Sequence, residues 1–139
     1  MDNIVIDTNC LIMSISTKGS YHKIWQSFLA GDFVVCISND ILEEYAEVLS
    51  RNLGANLARY VIFTIMERKN VRQINPSYKW NLISSDPDDN KFVDCAIAAN
   101  AKFIVTEDHH FNVLKTLSFP SVDVINIDQF LKEIELLYS

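Results

Sequence analysis

Short, continuously apolar segments alternate with longer amphipathic segments along most of the chain. The apolar segments contain many β-branched residues, which is typical of strands buried on both faces of a sheet. Five strands are predicted on this basis, at residues 3–7, 33–37, 71–74, 102–106 and 122–127. Because helical segments separate the strands, the pattern predicts a parallel sheet covered by helices on both faces.

The amphipathic segments carry apolar residues at helical spacing. Helices are predicted from Thr8 to a break at 18–20, and then at 21–30, 38–51, 57–66, 92–101, 109–116 and 128–137. Asp128 is expected to cap the last of these helices. One long loop, 75–90, includes Asp-Pro-Asp-Asp at 86–89, and long loops inside compact domains are often functional.

The length of 139 residues fits one domain spanning 1–139. The net charge of −6 argues against broad electrostatic capture of nucleic acid, although clustered acids can be compensated by bound cations. The most basic stretch, 68–72, is interpreted as a solvated helix end rather than a nucleic-acid patch.

The three cysteines, at 10, 36 and 95, are far apart and show no CxxC spacing. They are therefore expected to be buried structural thiols in a reducing cytosol, not zinc ligands or a redox pair. The amino-terminus lacks a basic leader, and no apolar run reaches membrane-spanning length. We expect a cytoplasmic protein without membrane contact.

Acidic residues occur at the boundaries of three separate apolar segments. Asp7 follows the first strand, Asp94 precedes a run of small apolar residues, and Asp108 follows the fourth strand. Helix capping and turn formation are the ordinary explanations for each one alone. In parallel sheets, however, ligands bind at the carboxyl ends of the strands, and Mg²⁺ and Mn²⁺ prefer carboxylate oxygens. Together the acids indicate a divalent-metal site.

Four short segments in order resemble a known family, the PIN-domain nucleases. They are Ile-Val-Ile-Asp-Thr-Asn at 4–9, Glu44-Tyr45 with Val48-Leu49, Asp-Pro-Asp-Asp-Asn-Lys-Phe-Val-Asp-Cys-Ala at 86–96 and Ala-Lys-Phe-Ile-Val-Thr-Glu-Asp at 101–108. The resemblance covers nearly the whole chain. It is strongest to the toxin-like PIN proteins of prokaryotic toxin–antitoxin pairs.

This resemblance implies a three-layer α/β/α fold with strand order 3-2-1-4-5. It also implies a metal-dependent endoribonuclease that uses Mg²⁺ or Mn²⁺ to hydrolyse RNA, forms a homodimer and pairs with an antitoxin. Four residues match the family's catalytic and metal-binding acids: Asp7, Glu44, Asp94 and Asp108. Asp89 matches an acid of a related subgroup and is retained as an auxiliary ligand. Four further residues would support the site: Thr8, Asn9, Ser38 and Thr106.

His110 departs from the family pattern, because many members carry a further acid at that position. Two other function classes remain open. A non-catalytic module of the same fold could bind RNA or protein, although it would gain little from repulsive carboxylates. A phosphotransfer or receiver-like domain also has an acid after its first strand, but Asn9 stands where a second Asp is expected and 122–129 contains no Lys.

Overall fold

Five parallel strands form one sheet in the computed structural model, which describes residues 1–138. In chain order they are β1 (Asn3–Ile6), β2 (Val34–Ile37), β3 (Val71–Gln73), β4 (Phe103–Val105) and β5 (Val124–Ile125). Their order across the sheet is β3-β2-β1-β4-β5, and every neighbouring pair is parallel. The predicted sheet and its strand order are confirmed. A receiver-like domain has the order 2-1-3-4-5, so that alternative is excluded.

Within residues 1–138, six α-helices pack around the sheet. They are α1 (Thr8–Ile15), α2 (His22–Leu29), α3 (Asn39–Leu53), α4 (Ala55–Glu67), α5 (Asn90–Ala99) and α6 (Ile127–Tyr138). All four residues of β2 are buried, as are Ile4, Val5 and Ile6 of β1. Successive strand residues point to opposite faces, so burial of all of them requires cover on both faces of the sheet.

The helices differ from the predicted ones mainly at their ends. α3 continues to Leu53, and Gly54, with a φ of 92°, separates it from α4. The predicted cap of α6 was wrong. Asn126 and Gln129 instead exchange side-chain-to-backbone hydrogen bonds of 2.8 Å in both directions, as in a capping box, and Asp128 lies inside the helix.

The end of the long loop is helical. Pro87–Asp89 forms a short 3-10 helix that runs directly into α5, so α5 begins at Asn90 and not at residue 92 as predicted. The segment His109–Thr116 is helical as predicted but has 3-10 geometry. The side chain of Asn90 is buried and exchanges two 2.9 Å hydrogen bonds with the backbone of Ile83, which fixes the loop against α5.

The pairing of β1 with β4 brings two strand ends together. Ile6 is in register with Val105, and the backbone N–H of Asp7 donates to the Val105 carbonyl at 3.0 Å. Asp7 and Thr106 are therefore neighbours at the carboxyl edge of the sheet. The buried Tyr45 hydroxyl donates to the Ile6 carbonyl, which holds α3 against the same strand end.

The three cysteines are free and buried, as predicted from their apolar surroundings. Within residues 1–138, no helix is both long and apolar enough to cross a membrane.

Candidate metal centre at the carboxyl edge of the sheet

Asp7 is a buried carboxylate held by hydrogen bonds at both oxygens. It caps α1, where its Oδ1 accepts the Cys10 backbone N–H at 2.9 Å. Its Oδ2 accepts the hydroxyl of Thr106. The helix-capping interpretation is therefore correct for one oxygen, and the second is oriented by the neighbouring strand. Burial raises the pKa of Asp7 above 3.8, although these hydrogen bonds act in the opposite direction.

Thr106 connects Asp7 to Asp108. The hydroxyl that donates to Asp7 also accepts the backbone N–H of Asp108 at 3.0 Å. Asp108 in turn caps the 3-10 helix 109–116 by accepting the His110 backbone N–H at 2.8 Å. One strand-end threonine thus positions two acids that repel each other.

Asp89, at the end of the 3-10 helix Pro87–Asp89, lies close to Asp108. One ligand atom from each of Asp86, Asp89, Asp108 and His110 lies within 4.8 Å of the others. Two of these atoms, Asp89 Oδ2 and His110 Nδ1, are buried and make no hydrogen bond in the part of the chain that the structure describes. They lie 3.8 Å apart.

His110 also faces Asp108. Its Nδ1 is 3.0 Å from Asp108 Oδ1, yet the geometry gives no hydrogen bond at that nitrogen. Lone pairs that converge without a shared proton are what a cation requires, and carboxylate oxygen with imidazole nitrogen is a donor set for first-row divalent ions. The residues therefore fit a bound metal ion.

Two acids of this cluster have pKa values shifted in opposite directions. Burial raises the pKa of Asp89 to about 7, and the charges of Asp86 and Asp108 add to the effect. Burial opposes ionisation of Asp108 too, but the backbone N–H and the ring of His110 outweigh it and lower that pKa below 3.8. Without a cation, a proton on Asp89 relieves the repulsion.

Glu44 joins the site from α3 and is neutralised by a lysine. Its Oε1 lies 2.7 Å from Nζ of Lys91, and its Oε2 accepts the Thr8 hydroxyl. Lys91 also lies 3.1 Å from Asp88. Two of the predicted supporting residues, Thr8 and Thr106, thus contact predicted acids directly. Asn9 is exposed, and Ser38 caps α3 through the Ile41 N–H at 3.3 Å.

Of the predicted acids, Asp89 and Asp108 belong to the group of converging ligand atoms, and Asp7, Glu44 and Asp94 do not. Asp94 has other partners. Its carboxylate accepts the Trp80 backbone N–H at 3.1 Å and lines a separate cavity of about 210 Å³ with Ser38, Lys79 and Lys91. Asp89 and Asp94 are five positions apart, so they project about 140° from each other around a helix axis. Only Asp89 is on the side of Asp108.

Sequence reasoning missed Asp86 and Lys91 as members of this region. The available signal was the spacing of three residues between Asp86 and Asp89 and between Asp88 and Lys91, because side chains three apart meet on one face of a helix. The predicted start of α5 at residue 92 concealed this spacing, because residues 86–91 then lay outside any predicted helix.

A sequence profile of the PIN domain matches residues 3–110. The chain belongs to the PIN-domain family. This is a family of nucleases, and the match spans every acid described above. No curated protein sequence matches the chain.

Solved structures of similar fold share little sequence with this PIN domain. VapBC2 from Rickettsia felis, bound to a DNA fragment from its promoter, is 16% identical with a TM-score of 0.62, covering 89% of this chain and 98% of that chain. Mycobacterium tuberculosis VapC20, a sarcin–ricin loop cleaving toxin, is 16% identical with a TM-score of 0.58, and the match covers 78% of this chain and 92% of that chain. DNA-bound VapBC from Salmonella typhimurium is 16% identical with a TM-score of 0.56, and the match covers 91% of this chain and 99% of that chain.

The protonation of Asp89 predicts a pH-dependent stability for the metal-free protein. Its pKa is about 7 in the folded protein and 3.8 as a free side chain, so between these values only the folded state holds the proton. The free energy of unfolding should therefore lose this contribution as pH rises from 4 to 7. The free energy of unfolding of Asp89→Asn minus that of wild type should therefore be larger at pH 8 than at pH 5. Urea unfolding in EDTA measures both values.

The matched control is Asp123→Asn, an exposed acid at the start of β5. Its stability difference from wild type should be the same at both pH values. An Asp89→Asn difference that is also independent of pH would contradict the raised pKa.

Proposed function

We propose that this PIN domain is a metal-dependent endoribonuclease. The observation that carries the proposal is the convergence of Asp89, Asp108 and His110 near Asp7, with two buried ligand atoms that make no hydrogen bond within residues 1–138. Membership of a nuclease family supports the reaction class, and the carboxylates of the site support Mg²⁺ or Mn²⁺.

Asp7, Asp89 and Asp108 would hold the ion, with His110 at its side. The ion would supply a bound water of lowered pKa and positive charge for the scissile phosphate of RNA. Thr106 keeps Asp7 and Asp108 in place, so neither carboxylate must reorganise as negative charge develops. Glu44, predicted as a direct ligand, would instead act through its contacts with Thr8 and Lys91.

Lys91 has a second use in this proposal. Its ammonium group lies between Glu44 and Asp88 and borders two surface clefts. A lysine in that position can contact a phosphate oxygen while it neutralises the neighbouring acids. It would therefore reduce the repulsion between an acidic site and a polyanionic substrate.

The toxin role is the finer part of the proposal. The similar structures include toxin–antitoxin complexes, and one is named as an RNA-loop cleaving toxin. We propose that this chain is likewise the toxin of such a pair, with an antitoxin as its partner, and that it forms a homodimer, which sedimentation of the purified chain would measure.

Asparagine substitutions at the strand-end acids should abolish RNA cleavage. Asp7→Asn and Asp108→Asn keep the size and capping capacity of the side chain but remove the charge that binds metal, so cleavage should fall at least about 100-fold. The assay compares a mixed pool of structured RNAs with Mg²⁺, Mn²⁺ or EDTA. Asp123→Asn should cut like wild type. Undiminished cutting by both site variants would refute the proposal.

Metal affinity distinguishes the two candidates for the third acid. Calorimetric titration with Mn²⁺ should show affinity at least about 10-fold weaker for Asp89→Asn, because that carboxylate faces Asp108. Asp94→Asn should bind close to the wild-type value, since an asparagine oxygen can still accept the Trp80 N–H. A larger loss from Asp94→Asn would restore Asp94 as the third ligand, as the sequence predicted.

A toxin should arrest the growth of a bacterial host when it is expressed alone. Wild-type expression is expected to stop growth, and Asp7→Asn expression is not, because arrest depends on cleavage. Growth curves after induction measure this directly. Equal arrest by both proteins at equal expression would point to a cause other than RNA hydrolysis.

A further inference from the structure

Three aromatic side chains from two separate loops form a cluster on the surface. Tyr78 and Trp80 belong to the loop after β3, and Phe119 follows the 3-10 helix 109–116. The ring centroids of Tyr78 and Trp80 are 4.7 Å apart, and those of Trp80 and Phe119 are 6.0 Å apart. Tyr78 is 63% exposed and Phe119 is 80% exposed.

The cluster exposes far more apolar surface than loop anchoring requires. Its rings meet edge to face, at interplanar angles of 63° and 78°, and Tyr78 and Phe119 remain largely exposed around the half-buried Trp80. Burial of these rings would be favourable, and exposed apolar patches of this kind mark binding surfaces. Open aromatic faces are suited above all to flat ligands that stack.

Polar contacts join this cluster to a neighbouring cavity. The Trp80 backbone N–H donates to Asp94, and the adjacent Lys79 lines the 210 Å³ cavity that Asp94 also lines. Lys91 lines the same cavity and contacts Glu44 at 2.7 Å. The aromatic cluster therefore borders a cavity that carries two lysines.

We propose that Tyr78, Trp80 and Phe119 form a stacking platform for unpaired bases of the RNA substrate. This inference rests on the proposed nuclease function and specifies its substrate as single-stranded at the bound segment. Bases splayed from a single strand stack on aromatic side chains, whereas bases in a duplex have their faces covered. Lys79, which stands between Tyr78 and Trp80 in the chain, supplies positive charge for an adjoining phosphate.

A protein partner would fit this surface less well. The cavity beside Lys79 is lined mostly by polar and charged side chains, including Asn39 and Asn75, with Pro76 as its apolar member. An alternation of stacking faces with cations matches the alternation of bases and phosphates in a nucleotide chain. A protein interface core, in contrast, is depleted in charged residues.

The test measures binding without cleavage. The full-length chain with Asp7→Asn, in EDTA, is titrated with a labelled ten-nucleotide single-stranded RNA and with the same sequence as a duplex. Anisotropy gives the affinity, and tryptophan fluorescence reports stacking, because Trp25 is only 7% exposed and Trp80 is the tryptophan at the platform. We expect the single strand to quench fluorescence and to bind more tightly than the duplex.

Substitutions at the platform then identify the residues responsible. Tyr78→Ser and Phe119→Ser should each weaken single-strand binding about 10-fold, since base–aromatic stacking is lost. The control is Phe63→Ser on α4, which removes a ring that is 65% exposed and lies outside the cluster. It should bind like the parent protein. In cleaving enzyme, the two platform variants should raise KM more than they lower kcat.

Several results would overturn the inference: no binding of the single strand, equal binding of the duplex, unchanged affinity in both platform variants, or a loss of self-association in place of RNA affinity. The last result would make the platform a protein interface. Failure of the nuclease proposal gives a different result. The RNA would then stay uncut with either metal, while the platform variants would still lose single-strand binding.

Discussion

The parallel register between β1 and β4 is the constraint on which the site depends. It places Asp7 beside Thr106 at the sheet edge, where the Thr106 hydroxyl can serve the Asp7 carboxylate and the Asp108 N–H at once. A buried carboxylate without such partners would be costly. The ends of β1 and β4 therefore stabilise the Asp7 carboxylate. The register of these two strands also determines how far Asp7 lies from Asp108.

Each acid near this edge is stabilised in a different way, and one lacks a stable partner. Asp7 receives two hydrogen bonds, Glu44 is paired with Lys91, and Asp108 is favoured by His110. Burial and the neighbouring Asp86 and Asp108 raise the pKa of Asp89, and its buried Oδ2 makes no hydrogen bond within residues 1–138. The unbalanced charge of the site is thus concentrated on Asp89. A divalent ion at that position would supply the balance that the protein itself does not provide.

The sequence predicted the sheet and its order well, because continuously apolar strands and a family resemblance point to the same architecture. Asp7 and Asp108 could be placed for the same reason, since they follow central strands whose ends must meet. Asp89 could not be placed with equal precision. Its position depends on the 3-10 helix Pro87–Asp89, which runs directly into α5 at Asn90. The sequence predicted a start at residue 92, which left Asp89 in a loop and Asp94 as the acid of the helix.

The net charge of −6 makes RNA binding a physical problem for this protein. Long-range electrostatics do not attract polyanionic RNA to an acidic protein. Affinity must therefore come from short-range contacts near the cleavage site. A metal ion and Lys91 neutralise the acids locally, but they carry little binding energy for the rest of the strand. Stacking does not depend on net charge, and the cluster of Tyr78, Trp80 and Phe119 lies next to the cavity that Lys79 and Lys91 line. An acidic nuclease can therefore hold RNA through its bases and reserve its few cations for the phosphates beside the cut.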